Sequence, residues 1–259
     1  MAPRSIWNGT ITFGVVAVPI KLYSATESKT VHFHELHQRD QARIEHRRFC
    51  SKEDKEVDYD EVVKGYEVSE GEFVVLDKDE VAAADPSRGK LIELEDFVAA
   101  AEIDPIFYDR TYYVGPQKDG EAAYRVLHAA LGRTERAGIG RFVFHNKEQL
   151  VALRPLDDLL ALHTMRFHDE VVAAKDLDLP SPQKRPGKRE VEMAGTLVSS
   201  LETAFKPEKY EDTYRASVEK LIKRKASGKE IEPPDRHPPE LAPDLLLAAL
   251  EASVGKKAA

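Results

Sequence analysis

RSIWNGTITFGVVAVPIKLYS, residues 4–24, alternates apolar and polar side chains around a central GVV, and this reading decides the fold. Period-two alternation is the signature of a strand with one buried face, and residues 10–23 are read as strand, with Gly14 beside Val15 and Val16 marking a bulge. The pattern recurs outward from there. Residues 72–76, 90–94, 110–114, 140–145, 149–154 and 159–167 all read as short strands bounded by Gly, Pro and Asp, which predicts a closed or nearly closed, mainly antiparallel barrel. One helix interrupts it over about 120–131, where Ala123, Val126, Leu127, Ala130 and Leu131 share a face at helical spacing. Trp7, Phe13 and Tyr23 are assigned to packing, as aromatics on apolar strands usually are.

The composition changes after Lys175. DLDLPSPQKRPGK carries three prolines and a glycine, which break regular structure, and residues 176–189 are read as a linker. Two amphipathic helices follow within 190–232. Val191, Ala194, Leu197, Val198 and Leu201 line the first; Tyr210, Tyr214, Val218, Leu221 and Ile222 line the second. A Pro-rich break, EPPDRHPPELAP, leads into a short apolar helix over 244–254, within a variable tail over 233–259. The class is therefore α+β: a barrel core over 1–175 with a small α-helical C-terminal arm.

The chain has 259 residues, 42% of them apolar, enough for one substantial core and an appendage. A single cysteine, Cys50, rules out an internal disulfide and fits a reducing compartment. The apolar run 11–20 is followed by Lys21 rather than a small-residue cleavage site, so it is not read as a signal segment, and the expected location is cytoplasmic. No apolar run reaches the roughly 18 residues a spanning helix needs, so no membrane partner is expected.

A net charge of −8 opposes binding to a polyanion at first sight. The distribution of that charge points the other way. Residues 50–110 hold 7 Lys and Arg against 19 Asp and Glu, a balance of −12, which leaves +4 for the rest. Within 133–154, Arg133, Arg136, Arg141, Lys147 and Arg154 face only Glu135 and Glu148. Ile139, Arg141, Val143 and His145 alternate against Phe142 and Phe144, so one side can meet phosphates while the other packs. At about 3.3 Å per residue this segment could extend roughly 70 Å, and half of a loop around a duplex needs about 45 Å.

Motifs for catalysis are weak. His32, His34, His37 and His46 cluster, but no ligand signature completes a metal set, and no metal or other cofactor is expected. Cys50 stands in FCSKEDKE, where Glu53 and Asp54 follow instead of a second thiol. The Gly138-Ile139-Gly140 pair lacks the third glycine of a dinucleotide loop. No enzyme activity is expected.

Four blocks together identify a family resemblance: residues 4–24; VHFHELHQRDQARIEHRRFC from Val31; EVDYDEVVKGYEVSEGEFVVLDKDEV from Glu56; and YEDTYRASVEKLIKRKASGKEI from Tyr210. In this order they resemble the bacterial Ku proteins over roughly nine-tenths of the chain. The resemblance implies a Ku-core, SPOC-like barrel with an extended DNA-encircling bridge, placed here at about 133–154. It implies a homodimeric ring that threads onto double-stranded DNA ends, independent of sequence, and recruits DNA ligase D for non-homologous end joining. Arg133, Arg136, Arg141, Lys147 and Arg154 are the first choices for backbone contacts, with Arg43, Arg47, Arg48 and Lys21 second. Lys220, Lys223, Arg224 and Lys225 on the helical arm are assigned to the ligase or the DNA. Other readings are a scaffold that recruits a ligase without binding DNA, and a hydrolase built on the histidines.

Overall fold

The computed structural model describes residues 3–77, 80, 90–144, 147–177 and 187–229. The segments 178–186 and 230–259, which hold most of the expected linker, the Pro-rich break and the short terminal helix, lie outside the described residues, as does His145.

Strands β1 (Trp7–Phe13) and β2 (Val16–Ser24) form a hairpin, with Phe13 opposite Val16. The single strand with a bulge expected over 10–23 is thus two strands. Gly14 takes φ 55° at the first turn position, a left-handed geometry that glycine adopts without a Cβ clash and that suits a two-residue hairpin. Next come two short pairs: β3 (Phe49–Cys50) with β4 (Lys55–Glu56), and β5 (Lys64–Ser69) with β6 (Glu72–Leu76). Then follow β7 (Leu91–Ala99), β8 (Tyr108–Pro116), β9 (Arg136–Phe144), β10 (Lys147–Leu156) and β11 (Leu159–Met165).

Seven strands close a barrel in the order β1-β2-β8-β11-β10-β9-β7. Six of its pairings are antiparallel; the seventh, β1 on β7, is parallel and closes the ring through Thr10, Ile11 and Thr12 against Leu91, Ile92 and Glu93. Closure leaves the barrel without a free sheet edge. The alternation read in the sequence fills the interior: Ile11, Val18, Ile20, Leu22, Ile92, Val151, Leu153, Leu160 and Leu162 are fully buried. Trp7 meets Phe142 edge-on at 5.5 Å, and Phe13 meets Phe97 at 6.1 Å, so both pack as expected.

Helix α1 (Glu121–Thr134) connects β8 to β9 and seals one end of the barrel. Its Tyr124, Leu127 and Leu131 enter the core, while Val126, expected on the same face, is exposed. Tyr124 Oη donates to the Val114 carbonyl at 2.7 Å and accepts from the Leu160 N–H at 2.8 Å, tying the helix to the ends of β8 and β11. Gly140 serves close approach rather than a nucleotide loop: a Cβ there would stand 2.1 Å from the Glu93 carbonyl oxygen, at the β7 irregularity between Leu94 and Asp96.

The extended bridge expected over 133–154 takes a different form. These residues are the end of α1 and the β9–β10 hairpin, in the wall of the closed barrel, with Gly140 paired to Val151 and Leu153 to Gly138. Ala137, Phe142, Val151, Ala152 and Leu153 are buried there, and a segment committed to that much core cannot swing out as an arm. The long departure from the barrel lies elsewhere, over residues 25–90 between β2 and β7.

The chain divides into two compact units, residues 1–28 with 34–174, and residues 29–33 with 175–259. The second holds α2 (Lys188–Ser200) and α3 (Thr213–Ala226), neither with a buried residue. Val198 is 70% exposed and Tyr214 78%, so the apolar stripes read in the sequence are left largely uncovered, with Ala194, Leu197 and Val218 half-buried.

Candidate nucleic-acid interface

The cations expected at the interface are not brought into one cluster. Arg133 lies exposed on the last turn of α1, and Arg136 is exposed at the start of β9. Arg141 stands on the outward face of β9, opposite to inward Phe142, as the alternation predicted, and its Nε lies 3.7 Å from Glu95. Lys147, at the far end of β10, lies 3.3 Å from Glu170. The Phe167 N–H and then Lys147 hold the Glu170 carboxyl below its usual range. Lys21 is half-buried between fully buried Ile20 and Leu22 and so faces away from the core.

Arg154 has a different employment. Its Nε donates to Nε2 of His163 at 2.9 Å, and the other ring nitrogen of His163 lies 2.9 Å from Thr111 Oγ1. Tyr108 packs its ring on the imidazole at 4.9 Å. His163 is buried, and desolvation, then the Arg154 charge, pushes its pKa down to about 4. This polar network in the barrel wall was missed in the sequence. Its only signal was a histidine inside the apolar strand LLALHTM.

An exposed basic stretch, 39–48, lies at the base of the departure from the barrel. Leu36 bridges to Arg43 around a turn in which Gln41 takes φ 59°. The Ala42 N–H, then His37, hold Asp40 below the usual carboxylate range, with His37 Nδ1 at 2.8 Å. His46 pairs with Glu35 at 2.9 Å. The β3–β4 pairing carries Glu56 to within 3.1 Å of Arg47, and Glu45 lies 3.5 Å from the same guanidinium. Arg48 stacks over the Tyr59 ring at 4.9 Å. Arg43 is exposed and pairs with no acid among the described residues. Exposed guanidinium groups on extended backbone suit phosphate oxygens, which position a protein without reading bases. Among the described residues no three His, Cys, Asp or Glu side chains converge as a metal site would require.

Beyond that stretch, the β5–β6 hairpin exposes apolar side chains on both faces: Tyr66, Val74 and Leu76 on one, Phe73 and Val75 on the other, with exposed Val68 at the register shift between Glu67 and Ser69. An isolated two-stranded hairpin is marginal in water, and a patch of this kind marks an interaction surface.

On α3, Lys220, Lys223, Arg224 and Lys225 are all exposed. Asp212 caps the helix by accepting from the Arg215 N–H at 2.8 Å, and the last three of these cations also complement the C-terminal end of the helix dipole. Among the described residues no helix is long and apolar enough to cross a membrane.

Comparison with known proteins agrees with this architecture. Residues 12–193 match the family model of the Ku70/Ku80 beta-barrel domain. The chain is 44% identical to the non-homologous end joining protein Ku of Anaeromyxobacter sp. (strain K), over 97% of this chain and 85% of the relative. It is 38% identical to the protein of that name from Bacillus subtilis (98% and 82%), and 36% identical to that of Mycolicibacterium smegmatis (97% and 81%).

Proposed function

This chain belongs to the Ku family, and from that premise we propose that it acts in non-homologous end joining as a homodimeric ring on double-stranded DNA ends. The observation that carries the reading is the departure over 25–90. It leaves the barrel after Ser24 and rejoins it at Leu91, both at the end opposite α1. Half of its 66 residues, at about 3.3 Å each, reach about 110 Å at most, more than the roughly 45 Å that each half of a ring must supply. This segment, rather than 133–154, is the encircling arm.

Two features support the assignment. Arg43, Arg47 and Arg48 give the arm exposed cations for the phosphate backbone. The uncovered apolar faces of β5 and β6 give it a surface that a second copy covers, in the two-fold arrangement most oligomers adopt. Two exposed cations of β9, Arg136 at its start and Arg141 on its outward face, add to the positive surface on the barrel side. No recognition helix or base-reading finger is present among the described elements, so affinity comes from charge and preference for ends from topology. The uncovered stripes of α2 and α3, with Lys220, Lys223, Arg224 and Lys225, form the arm that recruits DNA ligase D.

Binding to one duplex sequence, presented either linear or covalently closed into a circle, tests the ring across a range of salt. Tight, salt-sensitive binding to the linear form with little to the circle supports threading. Equal binding to both sinks it.

A further inference from the structure

We propose that the open end of the barrel is a binding cavity for a phosphate-bearing ligand. It goes beyond the ring, because it lies within the barrel of one chain. The two barrel ends are finished in opposite ways. At one, α1 plugs the mouth with Tyr124, Leu127 and Leu131. At the other, the inward rows of β8, β10 and β11 turn polar, while that of β9 stays apolar through Phe142 and Phe144. Along β8 the row runs from buried Val114 and Tyr112 to exposed Arg110; along β10, from buried Leu153 and Val151 to Gln149 and Lys147; along β11, from Leu160 and Leu162 to Thr164.

The polar ends of these rows, with Arg4, Ser5, Ser24, Thr26 and Ser28 and with apolar Ile6 and Phe144, line a cavity of about 1060 Å³, just above the usual range for small-molecule sites. Three cations enter the lining, against one carboxylate, Asp109. That carboxylate is held 3.4 Å from Arg166, and Lys147 is shared with Glu170. Arg4 and Arg110 pair with no acid among the described residues. Two unpaired guanidinium groups over a hydroxyl-lined floor match the fork geometry and acceptor-rich surface of phosphate oxygens. The ligand chemistry is a phosphate group, carried either by a free polyphosphate or by the terminus of a nucleic-acid strand.

Calorimetric titration of the full chain with sodium tripolyphosphate at low salt tests this. Saturable binding at one site per chain is expected, weakened at least tenfold in the Arg4→Gln/Arg110→Gln double variant. Lys118→Gln, an exposed control next to the sealed end, should bind as the parent does. Both arginines are exposed, so the double variant should keep its far-UV circular dichroism. No saturable heat with the parent chain, or equal affinity in the double variant, overturns the proposal. A second arm compares linear duplexes with 5′-phosphate and 5′-hydroxyl ends. A preference for the phosphate that disappears in the double variant assigns the strand terminus as ligand; tripolyphosphate binding without such a preference assigns a free polyphosphate. The linear-versus-circle comparison is read separately, so the failure of the ring and that of the cavity remain distinguishable.

Discussion

Arg154 fixes the tautomer of His163. A guanidinium can only donate, so Nε2 of His163, 2.9 Å from Arg154 Nε, must present its lone pair; the ring proton then sits on Nδ1 and is donated to Thr111 Oγ1 at 2.9 Å. Protonating the imidazole would place two donors face to face inside the barrel wall. Burial of the ring first, and then the Arg154 charge that the β10–β11 pairing brings beside it, hold the His163 pKa low.

That arrangement predicts an acid sensitivity. Since the folded-state pKa of about 4 lies below the ordinary value near 6.5, the unfolded chain binds the proton first as pH falls. Stability should be unaffected by this group above about pH 6.5, decline between there and about 4, and level off below, with a total loss of roughly 3 kcal/mol. Urea unfolding at pH 7, 6 and 5 measures it. His163→Gln should be less stable than the parent at pH 7 yet lose less on acidification. An unchanged slope in the variant would rule out His163 as the source.

Tyr124 supports a second prediction, on the seal rather than the wall. Tyr124→Phe keeps the ring in the core but removes the hydroxyl that serves both Val114 and Leu160. A carbonyl and an N–H are then left unpaired in a buried place, costing about 1 to 3 kcal/mol. The urea midpoint should fall accordingly, with the dependence on urea concentration unchanged. A shift under about 0.5 kcal/mol would mean that other groups or water replace the hydroxyl.

How far the sequence could be read follows from the same residues. The barrel was legible because Ile11, Val18, Ile20, Leu22, Val151, Leu153, Leu160 and Leu162 sit at period two in strands whose one face must be buried. The tight hairpin at Gly14 reads as a bulge in sequence, because a glycine beside β-branched residues fits both until the pairing register is known. The segment 133–154 reads as the arm because it is basic and alternating, and those two properties cannot tell a free ribbon from a barrel wall with one polar face. What distinguishes them is the buried set Phe142, Val151 and Leu153, which only the closed sheet creates. The Arg154–His163 contact and the polar mouth around Arg4 and Arg110 join residues from separate strands, so no local pattern announces them.

Sorting the basic residues by partner gives a third prediction. Arg43 is exposed and pairs with no acid among the described residues, whereas Arg154 is held by His163, so equal loss of charge should act differently. Arg43→Gln should weaken duplex binding at all sequences alike and reduce the slope of log affinity against log salt by about 1, with little change in stability. Arg154→Gln should leave that slope intact and lower the melting temperature. Parallel titrations and melts of the two variants decide; a reduced salt slope in Arg154→Gln would return that residue to the interface.

The last prediction concerns the uncovered hairpin. Tyr66 lies opposite Val74 and Lys64 opposite Leu76, so one face of β5–β6 presents Tyr66, Val74 and Leu76 together, each 40% exposed or more. Nothing in two strands can bury that face, and a partner surface of matching apolar character stabilises it by removing it from water at roughly 25 cal/mol per Å². If a second copy is that partner, Val74→Asp places a charge in the covered face at a position where the single chain has no core to lose. Sedimentation velocity should then show a monomer where the parent sediments as a dimer, with the circular dichroism of the barrel preserved. Duplex binding should fall with it, because half a ring has cations but no closure. A Val74→Asp chain that remains dimeric at the parent's concentration dependence would place the two-fold contact elsewhere. The uncovered stripes of α2 and α3 would then be the next surface to test.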